Sequence, residues 1–540
     1  MDLFFKGFFA IQLFFLVFAF AGTTPWAFSI FQGCAFILSA MLLFRRGLIL
    51  TKPFKAAAAA FLFLIVYTLI QACFTTTILD PVPNFPATLM RLYTLDHAAL
   101  FLTWLALFVI GSNIAGDFKS NKVIIWIIII PAVIITLLHI AVPGLYLKTL
   151  IDFNGGIGPF INRNHGGCFL AVSAILCETL SAVHFAGKNK YLAENKRNEF
   201  YAKQILFLFL FFFLAFAAVF TRSRGTMLAL FTGAFVYSLF LAYFFLKNRA
   251  AKITAIIMVL ILFFGGVFFA LKEKGDINAF AHRTSSRSVD IRKDLYTSAL
   301  KALKERPLFG TGIGAMPIMI TNYTQPLREY IERLHSDPLE ILLGAGIAGT
   351  LPPFLLTLLF FLLALKRLKY LPLKKQVFYS GLICALISFC ISSAIDFPLF
   401  IPACACVVFI LAGMLCGVSF YRENYSRISI KLWLKIIILA VFCLTFYYTL
   451  QKAIAWRYYY FANGFKYEGK VEYYQKALRY YPSPRYALRL GVEYYNKSLD
   501  KKLSPEEKSA LKTKAHDLAQ SYLIKYPREK ELSRLYINTL

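Results

Sequence analysis

At 540 residues the chain is long enough for three or four soluble domains. Its 59% hydrophobic content, 56 Phe and mean hydropathy of +0.63 exclude a soluble globule as the main body and point to a bilayer as its solvent. A formal charge of +30 would suit nucleic acid, but membrane topology accounts for most of the short-loop excess, and no nucleic-acid partner is expected.

A bilayer core of about 30 Å takes roughly 20 apolar residues per helix. In chain order, predicted spans cover 8–20, 28–44, 56–74, 98–114, 123–141, 166–185, 205–220, 227–246, 253–271, 339–365, 377–395, 400–420 and 436–450, about thirteen transmembrane helices in all. The first, with Lys6 ahead of it and small Ala19 and Ala21 near its end, also reads as a signal peptide, so cleavage is an alternative there.

The connections alternate in charge. Those holding Arg45, Arg46, Lys52 and Lys55; Lys119 and Lys122; Lys188, Lys190, Lys196, Arg197 and Lys203; Lys247, Arg249 and Lys252; Lys366, Arg367, Lys369, Lys374 and Lys375; and Arg422, Arg427, Lys431 and Lys435 are basic. The intervening short connections carry little positive charge, so the positive-inside rule puts the N-terminus in the cytoplasm. The two long hydrophilic segments, 272–338 and 451–540, then lie outside.

All ten Cys fall within or at the ends of apolar spans, which argues against a disulfide framework or a zinc cluster. His97, His139, His165 and His184 lack metal-ligand spacing, so no metal and no cofactor is expected. Glu178 sits inside a span, where a charge costs at least ~2.5 kcal/mol at mid-depth; it is therefore either a functional candidate or a protonated or paired group.

In the outside segment 272–338, Ile291, Leu295, Ala299 and Leu303 recur at spacing four, as in a helix lying on the membrane or on the bundle. Pro307 stops it, and Gly310-Thr-Gly-Ile-Gly314 turns the chain without the strand or the Gly-Lys-Ser/Thr of a phosphate loop. A short helix at about 327–333 leads to His335-Ser-Asp-Pro338 at the mouth of the next span.

Several motifs fall in order on this outer face: Asn162-Arg-Asn-His165, Thr221-Arg-Ser-Arg-Gly225, Arg292-x-x-x-Tyr296, Arg306-Pro-Leu-Phe-Gly-Thr-Gly-Ile-Gly314, His335-Ser-Asp-Pro-Leu339 and Gly346-Ile-Ala-Gly349. Together they resemble the O-antigen ligase and polymerase superfamily over roughly residues 150–420. The resemblance implies a metal-independent glycosyltransferase in a bacterial inner membrane, transferring a glycan from undecaprenyl diphosphate to a lipid A core sugar, a growing glycan or a protein hydroxyl. It makes Arg224 and Arg292 the diphosphate-binding arginines, Arg222 a secondary candidate and His335 the essential histidine, while Asn164 and His165 match the family's asparagine-bearing loop. Ser336 stands where the family often has Asn, and Gly344 where it often has Glu.

The residue types suit that chemistry. Guanidinium forks hold a diphosphate leaving group bidentately without deprotonating. An imidazole titrating near neutrality can take the proton of an attacking hydroxyl, with Asp337 as the expected orienting carboxylate. The fold class implied is all-α: a polytopic membrane helical bundle at 1–450 with a periplasmic loop at 272–338, and a C-terminal periplasmic helical-repeat domain at 451–540.

In that tail, 469–482 and 515–527 resemble tetratricopeptide helix ends, and 501–514 reads as an insertion between them. Two units bury little core alone, so the tail is expected to pack on the membrane domain or on a partner. From residue 451 basic residues outnumber acidic ones eighteen to nine, which would suit anionic headgroups or acidic glycans, with a solvated helical face as the ordinary explanation. A transporter or flippase is the rival class; it predicts paired broken helices meeting at mid-membrane, whereas the candidate polar residues gather at one face.

Overall fold

The computed structural model describes residues 2–77, 80–142, 157–187, 194–246, 278–320, 333–420, 426–523 and 530–540, with 248, 250–251, 253–254, 257–258 and 323. Among these the chain is helical apart from one short strand pair. The first half comprises α1 (Asp2–Phe18), α2 (Pro25–Arg46), β1 (Leu48–Leu50), α3 (Lys52–Cys73), α4 (Arg91–Ile114), α5 (Phe118–Ala141), α6 (Arg163–Phe185), α7 (Glu194–Phe220) and α8 (Arg224–Phe245). There follow α9 (Asn278–Glu305), α10 (Met316–Ile320), α11 (Asp337–Leu368), α12 (Leu373–Ile395), α13 (Pro402–Met414), β2 (Ser426–Ile428) and α14 (Leu432–Ala462), and then the tail helices α15 (Tyr467–Tyr480), α16 (Pro484–Ser498), α17 (Pro505–Leu523) and α18 (Lys530–Thr539).

Ten of these helices are long and apolar enough to cross a bilayer. Two shorter apolar helices coincide with the first and twelfth predicted spans, and the predicted span 253–271 lies largely outside the described residues. The last span is longer than its apolar run suggested: α14 continues past residue 450 to Ala462, so the expected domain boundary falls inside a helix.

Contacts between connections sort the helix ends onto two faces. β1 pairs antiparallel with β2, Leu48 opposite Ile428, which joins the α2–α3 and α13–α14 connections. Lys6 Nζ donates to Ser120 Oγ at 2.6 Å, and Lys375 Nζ donates to the Ser419 carbonyl at 2.8 Å. The basic connections thus meet one another on one face. At the opposite face Arg306 reaches from the end of α9 to the Thr77 carbonyl at 3.2 Å.

α9 buries the predicted stripe. Leu295 and Ala299 are fully covered, with Ile291 and Leu303 beside them, against Leu89, Met90, Met316 and Met319. Its end before Pro307 and the glycine run after it solve a problem in α11. That helix breaks at Gly346 (φ 65°, ψ −173°), a conformation available to glycine, which leaves main-chain groups without helical partners. The loop supplies them: Thr311 and Gly312 N–H donate to the carbonyls of Leu343 and Gly344, while Ile347 and Ala348 N–H donate to those of Pro307 and Leu308. Gln71 and Tyr67 of α3 complete the joint, donating to Gly344 and Ala345 carbonyls at 2.9 and 2.7 Å. A side chain at Gly346 would meet the backbone of Leu308 and Gly310, which is why two glycine-rich segments far apart in sequence belong together.

The tail rests on the membrane domain. Asp96, one turn into α4, accepts from Tyr448 at 2.9 Å, Lys452 at 2.6 Å and Tyr481 at 2.7 Å, fixing α14 and the end of α15. Ala462, Tyr474, Leu490, Tyr494 and Ala515 form its small core, and Tyr522 packs against the loop cluster under α9.

Candidate active site

Four helix ends meet at the face opposite the basic connections. Asn162 caps α6 by accepting from Asn164 N–H at 2.8 Å, so Asn164 and His165 stand on the first turn. The chain leaves α7 through Arg222 in the left-handed region (φ 55°), and Ser223 caps α8 by accepting from Thr226 N–H at 3.2 Å. His335, also left-handed (φ 55°), precedes α11, and Asp396 ends α12. A non-glycine residue held there costs on the order of 1–3 kcal/mol, so its surroundings must over-determine it.

For His335 they do. The Tyr296 hydroxyl donates to its carbonyl at 2.7 Å, and Glu340 accepts from Leu334 N–H at 3.1 Å and from Arg333 at 2.5 Å. Arg333 in turn lies 4.1 Å from the Phe400 ring centroid and 3.3 Å from His97 Nε2.

Asp396 is the hub of the site. Its Oδ1 receives His335 Nδ1 at 3.1 Å and Phe397 N–H at 2.9 Å, with His165 Nε2 at 3.6 Å. Its Oδ2 receives the Asn164 amide and faces Arg292 at 3.7 Å. The Phe397 ring lies edge-on to both imidazoles, 4.5 Å from His165 and 5.0 Å from His335 between centroids. Burial would favour the neutral acid, but the bond from His335 and the electrostatic pull of His165 and His335 prevail and hold the Asp396 carboxyl well below the usual carboxylate range. It is an anion in the working protein.

The carboxylate on His335 is therefore Asp396, and the expectation that Asp337 orients the ring is corrected. Asp337 is turned the other way, accepting from Ser393 and from Leu399 N–H at 3.0 Å, while its own N–H donates to the Asp396 carbonyl at 3.1 Å. It pins the turn that carries Asp396. The physical reason lies in the first turn of α11, which points Asp337 into the 393–399 turn while His335, outside the helix, faces the carboxylate that this turn presents.

Arg292 and His335 are thus brought together on one anion, each about one-third exposed at the side chain. Arg224 and Arg222 are exposed, and among the described residues neither is paired with a carboxylate. Gly225, next to Arg224, packs so closely on Ile395 that a methyl group there would come 2.7 Å from its Cδ1, and Gly167 packs likewise on Thr226. The start of α8 consequently abuts the end of α12 and the first turn of α6, at the rim of the Asp396 cluster. Glu178 is not part of it: it follows His165 on α6 by roughly 20 Å of helix axis at 1.5 Å per residue. Among the described residues its buried Oε2 has no hydrogen-bond partner, and no three His, Cys, Asp or Glu side chains are placed to hold a metal ion.

Residues 209–354 match the family model of the O-antigen ligase. No curated protein matches the chain. The matched segment contains Arg222, Arg224, Arg292 and His335, while Asn164, His165 and Asp396 lie outside it. With its ten long apolar helices, the match supports a multi-pass bacterial membrane protein of the ligase and polymerase type.

Sequence reasoning missed Asp396, Arg333 and Glu340. A signal for Asp396 was present: a lone carboxylate directly after an apolar span and before Phe397-Pro398, where a charge needs a partner.

Proposed function

We propose that this chain is an inner-membrane glycosyltransferase that moves a glycan from undecaprenyl diphosphate to a hydroxyl acceptor. The acceptor is a lipid A core sugar, another glycan or a protein. The N-terminus faces the cytoplasm, and the Asp396 cluster and the tail face the periplasm. His335 is the general base: Asp396 holds its Nδ1–H, leaving Nε2 to take the acceptor proton. As the acceptor oxygen bonds to the anomeric carbon from the opposite face, the bond from that carbon to the phosphate oxygen breaks and configuration inverts. Undecaprenyl diphosphate departs with its electrons, its growing charge held by Arg224 and Arg292, with Arg222 beside them.

One observation carries this reading: a partly open imidazole on a buried anionic carboxylate, with guanidinium groups supplied from α9 and the start of α8. The membrane-embedded protein with His335→Ala tests it. Glycan transfer should fall by about 10²–10⁴-fold while the protein stays in the membrane and donor accumulates on the carrier. Full transfer by that variant would remove the base. Full-length chains on the carrier in the inactive strain indicate a ligase, and single repeat units a polymerase.

A further inference from the structure

His165 is the part of the cluster that the proposed chemistry does not use. Its side chain is 7% exposed against 32% for His335, so it is walled off from any acceptor. Its position is nevertheless fixed: its carbonyl accepts from Cys404 Sγ at 3.4 Å, its N–H is bound to Asn162 in the first turn of α6, and its ring meets Phe397 edge-on. Among the described residues its Nε2 is buried without a hydrogen bond and points at Oδ1 of Asp396, the oxygen that holds His335. A space-filling imidazole has no reason to aim its polar edge there.

We infer that His165 is a positioning residue that sets the basicity of His335 through the shared Oδ1 of Asp396. Its Nε2 edge, 3.6 Å from the oxygen that holds His335 Nδ1–H, adds an electrostatic pull there that weakens the hold of Asp396 on the protonated form of His335. The other groups around the pair are Arg292 from α9, Asn164 and Cys168 from α6, Cys404 from α13, the Tyr296 hydroxyl on the His335 carbonyl, Asp337 of α11 behind the turn that carries Asp396, and Arg224 at the start of α8 on the rim. None of them is changed by the substitution of His165, so the difference reports His165.

Diethyl pyrocarbonate labels neutral imidazoles, and the pH dependence of His335 labelling, read by peptide mass spectrometry on the full chain in nanodiscs, gives its titration midpoint without reference to activity. His165→Leu should raise that midpoint by about half a unit or more. His165→Gln, which returns an N–H at similar reach, should bring it back. If His165→Leu does not fold, His165→Met takes its place. Identical midpoints in wild type and the Leu variant would overturn the inference, as would a Gln variant that behaves like Leu. A shift that persists in an Asp396→Asn background, where the mediating charge is gone, would do the same.

The consequence for catalysis rests on the proposed base role of His335. The acid limb of the transfer rate should move to higher pH with the labelling midpoint. A labelling shift with no matching limb shift would uphold the His165 linkage and sink His335 as the base.

Discussion

Two carboxylates near one face of the bundle show how the same group serves opposite ends. Asp96 accepts three direct bonds of 2.6–2.9 Å from Tyr448, Lys452 and Tyr481. Asp396 receives His335 at 3.1 Å and Arg292 at 3.7 Å, and both keep donors or acceptors turned elsewhere. The first arrangement is a clasp; in the second, Phe397 N–H and the Asn164 amide hold the carboxylate while His335 and Arg292 rest on it less closely. Close contact of side-chain donors with an anion joins structural parts, whereas side chains that rest on it less closely keep capacity for a substrate.

Four further measurements test that contrast. The largest effect should come from Arg224→Lys and Arg292→Lys, each lowering transfer by about 10–100-fold in a membrane assay, because an ammonium cannot reproduce the fork. Wild-type rates in both variants would refute a diphosphate site built on them. Next, Asp96→Asn should loosen the tail by about 2–3 kcal/mol, since Lys452 loses its partner; faster proteolysis after Ala462 would register it, and unchanged cleavage would show that the clasp does not hold the tail.

Asp396→Asn provides a smaller effect with a defined pH window. The native carboxyl lies below its unfolded value, so its stabilisation is present above about pH 4 and is lost only as pH falls through the native value. The destabilisation of the Asn variant, read as thermal unfolding in detergent, should therefore not close between about pH 8 and 5 and should shrink only below about 4. A gap that closes between neutral pH and about 5 would contradict an ionised hub. The smallest effect belongs to Glu178→Gln, expected to change transfer by less than about 3-fold because the residue lies far along α6 from the cluster. A larger loss would give new weight to the transporter alternative.

Much of the fold was legible because apolar length and charge alternation are one-dimensional signals. The stripe on α9 followed from helical spacing, and the buried Leu295 and Ala299 match it. Arg292 and His335 were legible as motif residues, and the structure puts both on one anion. Asp396 was harder to see, because a single acidic residue after a span acquires meaning only when three other helix ends converge on it. Asp337 misled for the complementary reason: nearness in sequence to His335 suggested a partnership that the first turn of α11 directs elsewhere. The length of α14 was hidden because its apolar run ends near Leu450, while docking on Asp96 and the tail core carries the helix on to Ala462.

The joint at Gly346 has a mechanical consequence. Main-chain bonds from the glycine loop tie the outer segment of α11 to the 307–312 strand of chain and to α3. The lipid-facing remainder of α11, rich in exposed Leu and Phe, starts from the same joint, with Ile347 and Ala348 held to Pro307 and Leu308 and Gly349 packed on Tyr67. Tilting of the long inner segment as bilayer thickness changes would meet a joint braced on both sides of the break, and the imidazole at the outer tip would keep its aim while the hydrocarbon around it thins or swells.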